Sequence, residues 1–257
     1  MKKIAVLLSI VLLLCSTPVL PANAADSKME QSVRILFIGN SYTYYNDFCD
    51  IFQNLCQSAG KLVYVRQAVQ GRHSLLQASR TSDPLGRYIR QLLTTQKWDY
   101  VVLQERHNFP VLKPARTKAG VKALEPYIKA AGVKMILYQN WAPAKGHKEY
   151  RKFSNRVSGR ADYQLKINRL FSEIASETGA KVAPVGTAFF QCQGTFSKIR
   201  LIRRDHSHPT WAGSYLAACV MYATLFETSP EGISYRGNLT ATKAAKLQKM
   251  AALATAS

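Results

Sequence analysis

The chain has 257 residues, of which 47% are hydrophobic and 19% charged; that is enough for one full core and too apolar for a disordered tail, and 14 glycines exclude a collagen-like fibre. Thirty-five Lys and Arg against 15 Asp and Glu give a net charge of +20, which favours anionic partners and carries no information about fold. In chain order, the first segment is an address. Lys2 and Lys3 precede an apolar run over residues 4–14, Pro18 and Pro21 break it, and Ala22-Asn23-Ala24 forms a small-x-small cleavage site. This predicts a cleaved signal peptide over 1–24, export to the periplasm or beyond, and one domain over 25–257. The run is too short for a stable membrane anchor. Cys15 follows Leu14, where lipoprotein processing requires a small side chain.

Strands and helices then alternate. Residues 33–39 (VRILFIG) are a short apolar, β-branched run ending in Gly. Phe48, Ile51, Phe52 and Leu55 repeat at i, i+3, i+4 and i+7, an amphipathic helix stopped by Gly60. Further strands are predicted over 62–69, 100–103, 133–138 and 182–185, and further helices over 85–93, 115–131, 161–178, 210–226 and 240–255. The helix over 210–226 is almost continuously apolar and therefore buried. Such alternation argues for an α/β protein, a five-stranded parallel sheet with helices on both faces. In an open parallel sheet the ligand site lies beyond the carboxyl ends of the strands. The segments leaving those ends are 40–46, 70–74, 104–110, 140–160 and 186–208.

Four cysteines follow the leader: Cys49, Cys56, Cys192 and Cys219. Cys49 and Cys56 sit seven apart on one helix, about 10.5 Å at the helical rise, beyond disulfide reach. Any bridge therefore joins the first helix to Cys192 or Cys219; buried thiols on apolar helix faces are the alternative. No C-x-x-C or His/Cys ligand cluster points to zinc.

Two exit loops carry chemistry. Ser41, in Gly39-Asn40-Ser41, follows a strand at the mouth of a helix, where a hydroxyl can stand above the sheet and N–H groups can face a developing oxyanion. A plain helix cap is the structural alternative. In the last loop, Arg204-Asp205-His206-Ser207-His208-Pro209, an Asp three residues before a His can hold Nδ1 and leave Nε2 to take a proton from serine. His206, one residue from Asp205, is the poorer base.

Together with Gly71 in AVQGRHSL and the loop of Gln104 and Asn108, these pieces resemble the SGNH/GDSL hydrolase superfamily, in a bacterial branch with Gly-Asn-Ser in place of Gly-Asp-Ser. The resemblance spans roughly residues 35–226. It implies a flavodoxin-like three-layer α/β/α sandwich and a serine esterase without metal or organic cofactor. It also implies Ser41 as nucleophile, His208 as base, Asp205 as its orienter, and an oxyanion hole from the N–H groups of Ser41 and Gly71 plus one side-chain amide. The family's Gly-x-Asn-Asp block is missing after the third strand. Asn108 matches its spacing from Asp99, and Gln104 carries an equivalent amide nearer the strand end.

Basic residues cluster at Lys145, Lys148, Arg151, Lys152, Arg156 and Arg160, and again at Lys198, Arg200, Arg203 and Arg204. Both clusters lie in exit segments, so a cationic rim around the serine is expected, selecting an ester of an anionic glycan or envelope glycolipid. Tyr44, Trp141 and Arg204 are candidate rim residues, with Tyr42, Tyr45 and Trp211 nearby; core packing is the alternative for each aromatic. Competing readings are a lysophospholipase or thioesterase on the same site, a non-catalytic acyl-glycan-binding module, and a polyanion binder. The last has no recognition motif, and nucleic acid is not expected as a partner.

Overall fold

The computed structural model describes residues 32–256; the predicted signal peptide lies outside them. Five strands, β1 (Val33–Gly39), β2 (Val63–Val69), β3 (Tyr100–Gln104), β4 (Lys134–Tyr138) and β5 (Lys181–Ala183), form one parallel sheet in the order β2-β1-β3-β4-β5. Seven helices longer than two turns surround it: α1 (Phe48–Ser58), α2 (Pro84–Thr95), α3 (Pro114–Ala130), α4 (Arg160–Thr178), α5 (Val185–Thr195), α6 (Trp211–Phe226) and α7 (Ala241–Thr255).

The two-residue period of β1 divides the core. Ile35 and Phe37 point into one apolar cluster, built with α1, α5, α6 and α7; Leu36 and Ile38 point into another, built with α2, α3 and α4. A strand buried on both faces must be a continuous apolar run, which is how 33–39 reads. The three-layer α/β/α sandwich is therefore the fold. Helix α6 is buried along nearly its whole length because α1 and α7 pack against it. Among the described residues no helix is long and apolar enough to cross a membrane, and Cys49, Cys56, Cys192 and Cys219 are all unbridged.

Two differences from the sequence expectation concern the last strand and its exit. Strand β5 ends at Ala183, not at 185, because Pro184 has no N–H for the ladder and its carbonyl instead accepts from Ala188 as α5 begins. Residues 186–195, expected as part of an exit loop, form α5 together with Val185, expected as the end of the strand. Its signal was present: Val185, Ala188, Phe189 and Cys192 recur at i, i+3, i+4 and i+7, and all are buried.

Candidate active site

Ser41 opens a single helical turn, Ser41–Tyr44, directly after β1. Asn40 caps that turn, its Oδ1 accepting from Tyr42 N–H at 3.3 Å. Its Nδ2 donates to the His73 carbonyl at 3.0 Å, which ties the serine turn to the loop carrying Gly71. Gly39 is required here: a Cβ would stand 2.6 Å from Thr43 Oγ1 and 2.8 Å from Gln104 Oε1.

His208 reaches the serine from the far end of the chain, with Nε2 3.0 Å from Ser41 Oγ. Its Nδ1 lies 2.9 Å from Asp205 Oδ2. Asp205 Oδ1 accepts from the N–H groups of Ser207 and His208 at 2.9 and 3.0 Å, so one carboxylate closes the turn and orients the ring. Partial burial alone would raise the pKa of Asp205; those N–H donors and the imidazole outweigh it and hold the carboxyl below its ordinary value. His206 takes a positive φ of 64° and packs toward Gly146, away from this relay.

Aromatic residues fix the His208 ring. Tyr45 stacks on the His208 ring at 4.2 Å between centroids, and Tyr42 meets it edge-on at 5.9 Å. Tyr42 in turn stacks on Trp141 at 4.0 Å, and Trp141 on Phe189 at 4.4 Å. The Trp141 indole N–H donates to the Ser207 carbonyl at 3.0 Å, and the Tyr42 hydroxyl bonds Ser207 Oγ at 2.9 Å. Trp141 is fully buried, so its expected place on a substrate rim is corrected: it braces the Asp205–His208 turn from below. Tyr44 is exposed, and a Cβ on Gly71 would lie 3.0 Å from its hydroxyl.

Of the groups expected to face an oxyanion, the N–H groups of Ser41 and Gly71 have no partner among the described residues. Loop 70–74 is anchored at three points: Asn40 to the His73 carbonyl, His73 Nε2 to Asp83 Oδ2 at 2.8 Å, and Leu75 N–H to Glu105 Oε1 at 3.2 Å. The two amides weighed as alternatives for completing the hole, Asn108 and Gln104, both hydrogen-bond other groups of the protein. Gln104 is buried; its Oε1 accepts from Asn40 N–H at 3.0 Å and Thr43 Oγ1 at 3.1 Å, and its Nε2 donates to the Glu105 carbonyl. It positions the serine turn. Asn108 Nδ2 donates to Glu149 Oε1 at 2.7 Å.

Sequence reasoning missed three supports. Glu149 is buried and receives Asn108, His107 and Tyr163. Burial would raise its pKa, and these donors bring it below the ordinary carboxylate value. Asn46, at φ 56°, donates to the Pro209 carbonyl at 3.1 Å and Ser214 Oγ at 2.9 Å, joining the serine turn to the histidine loop. Glu105, also buried, is pushed up to about 7 by burial, against the N–H groups of Arg106 and Leu75 that favour its charge. The positive φ of Asn46 was detectable in principle as an Asn in a turn; the two glutamates gave no local signal.

A parallel sheet in this order, with a serine after its first strand and a His-Asp pair before α6, is the arrangement of the SGNH hydrolases, and solved structures place the chain in that class by fold. A protein from Slackia heliotrinireducens assigned to the SGNH hydrolases is 28% identical, with a TM-score of 0.67 over 76% of this chain and 99% of its own. A DUF4886 family protein from Bacteroides uniformis gives a TM-score of 0.74 at 19% identity over 87% of this chain and 94% of its own. The psychrotrophic esterase EstA from Pseudoalteromonas sp. shares the fold at a TM-score of 0.54 and 16% identity, over 76% of this chain and 97% of its own. Residues 71–255 match the model of the domain of unknown function DUF4886, and the chain belongs to that family. No curated protein matches it.

Proposed function

We propose that the protein is an exported serine esterase that removes short acyl groups from a carbohydrate or envelope glycolipid. The observation that carries this reading is the unbroken relay Ser41 Oγ–His208 Nε2 at 3.0 Å and His208 Nδ1–Asp205 Oδ2 at 2.9 Å, at the carboxyl end of the sheet. In the first step Ser41 Oγ attacks the ester carbonyl while His208 Nε2 takes its proton. Asp205 keeps Nδ1 protonated and stabilises the imidazolium. The N–H groups of Ser41 and Gly71 hold the tetrahedral oxyanion, each donor being worth about 10²–10³ in rate. His208 then protonates the departing alcohol, and water, deprotonated by the same imidazole, releases the acid from Ser41.

The test is reaction with a fluorophosphonate probe and hydrolysis of 4-nitrophenyl acetate, by wild type and by Ser41→Ala. Wild type should be labelled on Ser41 and turn the ester over, and the variant should do neither. Labelling at another residue, or equal rates for the two proteins, removes Ser41 as nucleophile. Hydrolysis of long-chain lysophospholipid in preference to acetyl esters would move the substrate to the lysophospholipase reading.

A further inference from the structure

Against Asp205 of the triad lies a pocket of about 440 Å³. Arg200, Arg203, Arg204, Thr210 and Trp211 line it together with Asp205. Its size is that of a small-molecule site. Among the described residues none of the three guanidinium groups forms an ion pair. The one carboxylate lining the pocket, Asp205, is committed to His208. The arginines are carried on a fixed backbone: Arg203 N–H donates to the His208 carbonyl at 2.8 Å, Thr210 N–H to the Leu201 carbonyl at 2.8 Å, and Thr210 Oγ1 to the Arg200 carbonyl at 2.8 Å. Arg203 lies over Tyr45, 5.6 Å from the ring centroid, and Tyr45 covers the catalytic imidazole. In the other basic run, three of the six side chains are engaged within the protein: Arg156 on the Leu112 carbonyl, Arg160 on Gln193 and Lys152 over Phe153.

We infer that this pocket is a subsite for an anionic oxygen group, carboxylate or phosphate, on the alcohol portion of the ester. The inference rests on the esterase reading and assigns the charge to one side of the scissile bond. The carbonyl oxygen sits toward Gly71, and the leaving oxygen sits beside His208 Nε2, which protonates it. The alcohol therefore extends on the His208 side, where the three arginines stand. Guanidinium forks match carboxylate and phosphate oxygens in pairs, which a scattered lysine surface would not.

The experiment compares kcat/KM for an acetylated methyl galactoside, the matching methyl galacturonoside and the matching galactoside 6-phosphate. A second pair, 4-nitrophenyl acetate and 4-nitrophenyl hemisuccinate, places charge on the acyl side. Wild type should favour one or both anionic sugars by at least about tenfold at low ionic strength, with the advantage shrinking as salt is added. The anion with the larger gain names the ligand. The ratio of anionic to neutral sugar should fall to about one in Arg200→Gln/Arg204→Gln by the same charge argument; both side chains are exposed, so the fold survives, as circular dichroism will show. Equal use of the three sugars, a ratio unchanged in the double variant, or an equal gain for the hemisuccinate overturns the subsite. If Ser41 resists the fluorophosphonate the esterase reading fails separately. Calorimetric binding of methyl galacturonoside then decides the subsite, supported if the double variant weakens it and overturned if wild type does not bind.

Discussion

Replacing Glu105 with Gln tests the support beneath the loop that carries Gly71 through a single titration. The Glu105 carboxyl is almost wholly buried; its Oε1 accepts from Leu75 N–H at 3.2 Å and Arg106 N–H at 2.6 Å, and the Thr117 hydroxyl lies beside it. Burial raises its pKa from 4.5 to about 7, so the folded protein binds this proton more tightly than the unfolded chain does. Stability from the neutral form is fully present below pH 4.5 and is lost as pH rises through about 7. At 1.36 kcal/mol per pKa unit, the loss by pH 8 is about 3 kcal/mol. Gln keeps an oxygen for both N–H donors and never ionises. Urea titration of wild type and Glu105→Gln at pH 5 and pH 8 should therefore show wild type losing about 2.5 kcal/mol more than the variant between the two pH values, part of the loss having occurred by pH 5. Melting temperatures should diverge in the same sense by roughly 5–10 °C for a domain of this size. Groups that titrate in both proteins cancel in the comparison. Parallel pH profiles for the two would refute the reasoning, since they would mean that Glu105 is already ionised in the fold at no cost.

Two further substitutions probe the site directly. Asp205→Asn keeps an oxygen for the Ser207 and His208 N–H groups but offers an amide N–H to Nδ1, so the imidazole adopts the wrong tautomer; kcat should fall by roughly 10²–10⁴ with little change in melting temperature. Asn40→Asp removes the donor to the His73 carbonyl and sets a carboxylate against it, at about 1–3 kcal/mol of stability. Because that contact ties the serine turn to the loop of Gly71, esterase kcat should drop while Ser41 remains reactive to the fluorophosphonate; full activity in this variant would show that the tie is dispensable.

What could be read in the sequence is what chain neighbours decide. β1 announced itself because a strand covered on both faces cannot alternate with polar residues, and Asp205 met His208 because three residues of turn bring them together whatever surrounds them. The partners that were missed lie far away in sequence. Gln104 and Asn108 carry identical amides, and spacing from Asp99 favoured Asn108; the choice among their roles was made by Asn40, 64 residues before Gln104, and by Glu149, 41 residues after Asn108. Trp141 was misplaced for the same reason. An indole near the catalytic edge can face substrate or core, and only the stacking of Tyr42 and Phe189 on its two faces decides for the core.

The Asn40 amide shows how such distant demands still leave a mark at one position. A side chain after Gly39 that only accepted hydrogen bonds would cap the Ser41 turn adequately, because Tyr42 N–H asks for nothing else. Here the same side chain must also donate, since a carbonyl, that of His73, faces its other end. Asn supplies both functions in one planar group, and an ionised Asp supplies only the first. The asparagine in Gly39-Asn40-Ser41 is therefore the local trace of how loop 70–74 is held, and through that loop it bears on where the Gly71 N–H stands relative to the serine.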